Sequence, residues 1–262
     1  MKKNRWIAVL AVMVMALAVA GCSNPSSGNE STTGSSGGSG NSSGTGNSGV
    51  DNPVSQQPDY SKCVVGDFVL KDGTILSKDS TPEGGTVAAV IVRAAANGKP
   101  ALGVGIVHNQ SGLAWCTSSA TGYSTNITAL QGDRRSGYMD GIDGWEKLKA
   151  ACSDAESNPA NYPAWNYSLT YAKTNSLTGD LATGWYLPTV AELYTIYYNK
   201  TAVDTSLSKA GGITFGPSWY WSCCQENSII YFAQALDFGY GDMYNNYKYV
   251  NDGYVCSVRA FN

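Results

Sequence analysis

The sequence predicts an α+β domain of mixed antiparallel sheets with a few helices, on three observations. Apolar runs of β type occupy both ends of the segment 58–262. Between them the period changes to that of amphipathic helices with recognisable starts. Strands, then helices, then strands again place the two ends of the segment in one sheet, and roughly two hundred residues with Trp, Tyr and aliphatics throughout suffice for one well-buried domain.

The first element is "VGDFVLKDGTILS", where Val65, Phe68 and Leu70 surround a tight-turn pair, Asp72-Gly73, so it reads as a hairpin. "TVAAVIVRAA" and "PALGVGIVHN" are apolar strands, and "LAWCTSS" is a further short one. In "DGWEKLKAACSDAES", Trp145, Leu148, Cys152 and Ala155 fall on one helical stripe, with Asp143 and Glu146 spaced as a capping box. "PAWNYSLTYAKT" starts on Pro163, which suits a first helical turn, and aligns Trp165, Leu169 and Ala172. "PTVAELYTIYYNK" carries another capping box, Thr189 with Glu192, ahead of the stripe Val190, Leu193, Tyr194 and Tyr197. Only short β-type pieces follow: "YWSC", "YFAQALDF" and "YVCSVRAF". The Tyr- and Asn-rich stretch "GDMYNNYKYVNDGY", Gly241 to Tyr254, is read as the connection between the last two.

Charge excludes one class of partner. Charged residues make up 14% of the chain and the net charge is −3, with no basic stripe, so nucleic acid is not an expected ligand. The cysteines of the segment are Cys63, Cys116, Cys152, Cys223, Cys224 and Cys256. An even number permits disulfides in an oxidising compartment, but six thiols allow fifteen pairings and their spacing does not choose among them. A metal centre is not expected: there is no C-x-x-C, His108 is the sole histidine, and adjacent Cys223-Cys224 is not a usual ligand spacing. "DGIDG", Asp140 to Gly144, lacks the ligand pattern of a calcium loop and serves also as a helix start. No cofactor is implied. His108 reads as structural, and a triad or Cys-His dyad would rest on it alone.

At the N-terminus, "MKKNRWIAVLAVMVMALAVAGC" carries Lys2, Lys3 and Arg5, an apolar run from Trp6 to Val19, and Ala20-Gly21-Cys22. It resembles a bacterial lipoprotein signal peptide, the run being short and one-sided for a membrane span. The resemblance implies cleavage before Cys22, lipidation of that cysteine and export, with Ser23 favouring the outer membrane or cell surface. An uncleaved anchor is the alternative, and both place the rest of the chain outside the cytoplasm. The membrane is then touched through the N-terminal lipid only. Residues 23–57, rich in Ser, Gly, Asn and Thr, cannot bury enough surface to order and read as a tether with a reach of roughly 30 Å.

Four motifs carry a second resemblance: "GWYLPTVAELYTIYYN" (Gly184 to Asn199), "YWSCCQ" (Tyr220 to Gln225), "ALDFGYGD" (Ala235 to Asp242) and "VCSVRAF" (Val255 to Phe261). In this order they resemble C-type-lectin-fold domains of the branch related to formylglycine-generating enzymes, and the N-terminal hairpin fits the same module. Within that branch the chain is similar to variable proteins of diversity-generating retroelements. The resemblance implies a C-type lectin scaffold over 58–262 whose last strands and loops, about 219–261, carry hypervariable ligand-contacting positions. These are rewritten from a template copy in which adenines are replaced. An AAC codon mutated in this way yields most residue types but not Lys, Gln, Glu, Met or Trp. From Asn227 to Tyr254 only Gln234, Met243 and Lys248 fall outside that set.

Composition bears on the same stretch. Seven of the 17 Tyr lie within Trp219 to Asn262, where an even spread would place about three. Tyr offers large amphipathic area at small entropic cost, while Ser, Gly and Asn adapt their hydrogen bonds, as in paratopes. Alternatively the rings pack on the core and Asn, Asp and Gly make turns. The candidate ligand-binding positions are Asn227, Ser228, Ile229, Ile230, Tyr231, Phe232, Tyr240, Asp242, Tyr244, Asn245, Asn246, Tyr247, Tyr249, Asn251, Asp252 and Tyr254. Gly241 and Lys248 are expected to be scaffold, and Trp221, Phe238, Val258 and Phe261 core. Cys223 and Cys224 stand where related modules carry Ser. Either they are products of diversification, leaving a surface thiol or a reactive vicinal pair, or one of them bridges to Cys256 or Cys152.

The implied protein is a surface-displayed lipoprotein, not an enzyme, that binds a protein or glycan through a diversified C-terminal face. A non-diversified envelope adhesin or lipoprotein of the same fold is the rival. An oxidase of the formylglycine-generating type needs a reactive Cys pair whose spacing Cys223, Cys224 and Cys256 do not reproduce.

Overall fold

β1 (Phe68–Leu70) and β2 (Ile75–Leu76) form the expected hairpin, with Asp72 accepting from the Thr74 amide at 2.9 Å and Gly73 at φ +87. Such a φ is open to Gly without steric cost, which locates the turn. This computed structural model describes residues 58–262; the signal segment with Cys22 and the tether 23–57 lie outside them. β3 (Val87–Arg93) and β4 (Ala101–Gly105) extend the sheet, and β11 (Val258–Phe261) and β6 (Trp185–Tyr186) complete it in the order β2-β1-β3-β4-β11-β6. All its pairs are antiparallel, and the two ends of the segment share it.

β3 reads as a continuous apolar run because both its faces are covered. Val90 and Val92 belong to the main core, to which α6 (Val190–Tyr198) and α7 (Lys200–Lys209) contribute Val190, Leu193, Ile196, Val203 and Leu207. Ala89 and Ile91 belong to a second core with Tyr60, Tyr171, Trp185 and Phe261. Gly105 in β4 lies so close to the Tyr171 ring that any Cβ would overlap it.

A second sheet has the order β5-β10-β7-β8-β9, built from β5 (Asn109–Leu113), β10 (Gly253–Val255), β7 (Trp219–Gln225), β8 (Phe232–Asp237) and β9 (Met243–Tyr247). Its pairs are antiparallel except β10 with β7. Between the sheets' strands run α1 (Thr121–Ser124), α2 (Gly144–Ala151), α3 (Asp154–Ser157), α4 (Pro163–Leu169) and α5 (Tyr171–Thr174). The architecture is α+β with antiparallel sheets. Among the described residues no helix is long and apolar enough to cross a membrane.

The capping box of α6 forms: the Thr189 hydroxyl accepts from the Glu192 amide at 3.2 Å, and the Thr189 amide donates to Glu192 Oε2 at 2.8 Å. The one expected at Asp143 does not. Its carboxylate instead accepts from Tyr138 Oη at 2.8 Å and from Lys147 Nζ, and makes no hydrogen bond to the helix amides. Leu148, Cys152 and Ala155 are buried as a stripe, but the helix breaks at Cys152, where φ and ψ are extended. α4 starts on Pro163 as expected; Ser168 is buried on its inner side, while Leu169 is only half-buried.

Three further expectations are corrected. "LAWCTSS" is not a strand: β5 ends at Leu113, and Ala114, Trp115 and Cys116 are core residues whose backbone serves Ala164 and Lys248. A helix, α7, follows α6 where only β-type pieces were expected, because its apolar signal is only Val203 and Leu207, an i, i+4 pair. The connection 241–254 contains β9 and the first residues of β10.

Candidate ligand-binding face

β8 and β9 are joined by a turn that Asp237 organises, its Oδ1 accepting from the Gly239 amide at 2.6 Å and the Tyr240 amide at 3.3 Å. Gly241 in this turn has φ +78, and a Cβ there would press on the Tyr197 ring at 2.5 Å, so the position admits no side chain. β9 pairs with β8 from Leu236↔Met243 to Phe232↔Tyr247 and is an edge strand of its sheet. Its side chains are exposed except Asn246, which is half-buried and accepts from the Tyr247 amide at 2.8 Å.

Past β9 the chain is fastened by Lys248. Its backbone amide donates to Tyr231 O at 3.0 Å and its carbonyl accepts from the Cys116 amide at 3.0 Å. The side chain is fully buried, with Nζ donating to Gly122 O at 2.6 Å and to Gln225 Oε1 at 3.3 Å, 4.9 Å from the centre of the Trp115 ring. Burial pushes its pKa down to about 8. Gly241 and Lys248 are therefore scaffold, as expected, and Trp221, Phe238, Val258 and Phe261 are core.

Pinned in this way, the chain presents two aromatic groups. Tyr123 of α1 lies 5.1 Å from Tyr231 and 5.8 Å from Tyr249; Tyr249 lies 5.6 Å from Tyr247, and Phe232 lies 4.5 Å from Tyr247. Tyr231, Tyr247 and Tyr249 are exposed, and Phe232 is half-buried. Tyr244 is exposed beside Trp219, at 6.0 Å. Tyr123, far away in sequence, was not among the candidates; no local pattern marks it. Tyr240 stands apart at 83% exposure.

The remaining candidates divide by burial. Asn227, Ser228, Ile229, Asp242, Asn245, Asn251 and Asp252 are exposed, and Ile230 is half-buried. The 226–229 bend is held by the Glu226 carboxylate, which accepts from the amides of Ser228 at 2.7 Å and Ile229. Tyr254 is half-buried, its ring edge-on to Tyr220 at 5.5 Å, so it belongs as much to the core as to the surface.

Neither the surface thiol nor the bridge expected of Cys223 and Cys224 is present. Cys223 and Cys224 are fully buried in β7, and all six cysteines of the described residues are unbridged. β7 lies between β10 and β8, with loop 131–140 and α6 over it: the Cys223 amide donates to Pro188 O at 2.7 Å and Cys224 Sγ to Tyr138 O at 3.8 Å. Burial raises the Cys223 pKa well above the usual thiol value, so no thiolate is present to react. His108 is buried against Phe215, ring centres 4.3 Å apart, with Nε2 on Gly105 O at 3.0 Å and Nδ1 unpartnered. Burial depresses its pKa to about 4, which keeps it neutral. Among the described residues no group of three or more His, Cys, Asp or Glu could hold a metal ion. In the DGIDG segment, Asp140 accepts from the Ile142 amide at 3.4 Å.

The sequence matches no family model and no curated protein. The fold is similar to that of a fimbrial protein from Bacteroides ovatus. The TM-score is 0.56 at 13% identity, over 76% of this chain and 49% of that one, so the present chain spans about half the neighbour's length. At that identity the likeness concerns the fold.

Tyr rings on a pinned edge strand give broad contact area with little rotamer entropy to lose, and the interspersed Asn side chains offer both donors and acceptors.

Proposed function

We propose that the chain is an exported, lipid-anchored protein of C-type lectin fold that binds a protein or glycan through its C-terminal face, and that a retroelement diversifies this face. The observation that carries the reading is the division within 227–254 between fastened and presented residues. Gln234 and Lys248, two of the three residues that adenine mutagenesis of an AAC codon cannot produce, are buried and the third, Met243, is exposed, while Tyr244, Asn245, Tyr247, Tyr249 and Asn251 face solvent. A diversified surface needs this arrangement, since variation at exposed, unbonded side chains leaves the fold intact. The complete burial of Cys223, Cys224 and Cys256 weighs against an oxidase of the formylglycine-generating type. The N-terminal lipid and tether would hold the face away from the membrane.

A non-diversified envelope adhesin is the second reading, favoured by the likeness to a fimbrial protein. Sequencing the DNA downstream of the gene separates the two. Diversification requires a near-copy of the codons for about 219–261, differing chiefly at adenines of the copy, beside a reverse-transcriptase gene. Absence of such a copy leaves the adhesin reading.

A further inference from the structure

A cleft of about 440 Å³ opens at the start of β9, lined by Asp133, Arg134, Arg135, Tyr194, Asp242 and Met243. The first three belong to the tip of a hairpin closed by the Gly132↔Gly137 bridge. Asp133 is spent on that turn: it accepts from the amides of Arg135 at 2.6 Å and Ser136 at 2.8 Å and from the Ser136 hydroxyl at 3.0 Å. The turn thereby fixes where the two arginines emerge. The Arg134 guanidinium packs over the Tyr194 ring, 5.4 Å from its centre, and Tyr198 stacks on that ring at 5.8 Å. Among the described residues, the ion pairs are all made by lysines, so Arg134, Arg135 and Asp242 line one cleft without pairing with each other.

Two guanidiniums line the cleft with two carboxylates, of which Asp133 is bonded to its own turn and Asp242 is left to bond a ligand, and this set fits a ligand that carries an oxyanion and hydroxyl donors together. A planar guanidinium takes a carboxylate in two parallel hydrogen bonds. The carboxylate of Asp242 only accepts, so it suits hydroxyls and repels a second acid group. The volume lies in the range of small-ligand sites, about 300–1,000 Å³. Met243, Asn245 and Tyr247 share one face of β9 by strand alternation, and at about 3.4 Å per residue that face runs roughly 14 Å from the cleft towards the Tyr247–Tyr249 group.

We propose that this cleft binds the acidic sugar residue of a glycan, with its carboxylate on Arg134 and Arg135 and its hydroxyls on Asp242, while the neighbouring sugars lie along β9. The assignment rests on the ligand-binding reading above. It adds a division of labour: Arg134 and Arg135 lie outside 219–261, so the anchor for the acid is constant and the strand beside it is what varies.

The test is calorimetric titration of the full chain with 3′-sialyllactose, trigalacturonate, lactose and hexaglutamate. At least one acidic saccharide is expected to bind at least tenfold more tightly than lactose. The double variant R134Q/R135Q is expected to lose at least tenfold of that affinity with its melting temperature unchanged, both side chains being exposed. Equal binding of lactose, binding of hexaglutamate in place of the saccharides, no binding of either acidic saccharide, or an unaffected double variant overturns the assignment. A template copy in the DNA without saccharide binding removes the cleft assignment alone; saccharide binding without a template removes diversification alone.

Discussion

The Lys248 ammonium donates to the Gly122 carbonyl at 2.6 Å across 126 residues of sequence, and this bond joins the proposed binding face to the first helix of the domain. Tyr123 follows Gly122, and Tyr231 accepts from the Lys248 amide through its carbonyl. One buried side chain thus sets the spacing of the aromatic group. Lys248→Met leaves Gly122 O and Gln225 Oε1 without this donor, and the expected loss is about 2–4 kcal/mol by urea unfolding at pH 7. The amine's folded pKa, about 8, lies below its ordinary 10.5. Between these values the unfolded chain binds more protons, so the wild type gains stability as pH rises from 8 to 10.5. The variant should lack this gain. A wild-type-minus-variant difference that stays flat over pH 7–10 would contradict the burial of the charge.

His108 makes the opposite kind of window. Its folded pKa of about 4 lies below the ordinary 6.5, so the unfolded chain takes up the proton first as pH falls. Stability is fully present above pH 6.5 and is lost towards pH 4, by about 3 kcal/mol for a shift of this size. In His108→Phe this loss should disappear. Unfolding curves at pH 7, 5.5 and 4.5 decide it, and equal acid sensitivity in both proteins would argue against a buried neutral imidazole.

Glu192 is buried, and burial raises its pKa above the ordinary 4.5. The native state therefore holds a proton more readily than the unfolded chain, and stability contributed by this group falls as pH rises through that raised value. Glu192→Gln keeps a carbonyl oxygen to accept from the Thr189 amide, and its amide nitrogen donates to the Tyr186 hydroxyl once that hydroxyl turns, so the expected change is within about 1 kcal/mol. Glu192→Ala removes both partners and should cost about 2–4 kcal/mol. Thermal melts of the two variants at pH 7 should separate clearly; equal melts would mean the capping box is not formed.

The division between fastened and presented residues is testable without a ligand. Ala substitution at Tyr240, Tyr244, Asn245 or Tyr249 should each shift stability by no more than about 0.5 kcal/mol. Gly241→Ala, at φ +78 and against the Tyr197 ring, should cost more than about 2 kcal/mol. If Gly241→Ala unfolds at the same denaturant concentration as Tyr240→Ala, the turn is not the constraint described.

The hairpin of β1 and β2, the Thr189–Glu192 capping box and the return of the C-terminal strand to the first sheet were all legible in the sequence. Each rests on a pattern within a few residues or on alternation of apolar side chains, and such patterns survive reading one residue after another. The capping box expected at Asp143 had the right spacing but lost its carboxylate to Tyr138 and Lys147, competitors that spacing does not rank.

What tertiary contact alone decided is the character of the stretch 241–254 and its neighbours. Its polar composition reads as a connection, yet Met243 to Tyr247 became a strand because β8 lay beside it with unpaired backbone groups. Cys223 and Cys224 read as either reactive or bridged, and became neither because two layers close over β7. Tyr123 joined the aromatic group, and Arg134 and Arg135 came to the start of β9, through contacts spanning about a hundred residues. Local chemistry sets which elements form; the partners that bury, pair or expose each side chain come from distant parts of the chain.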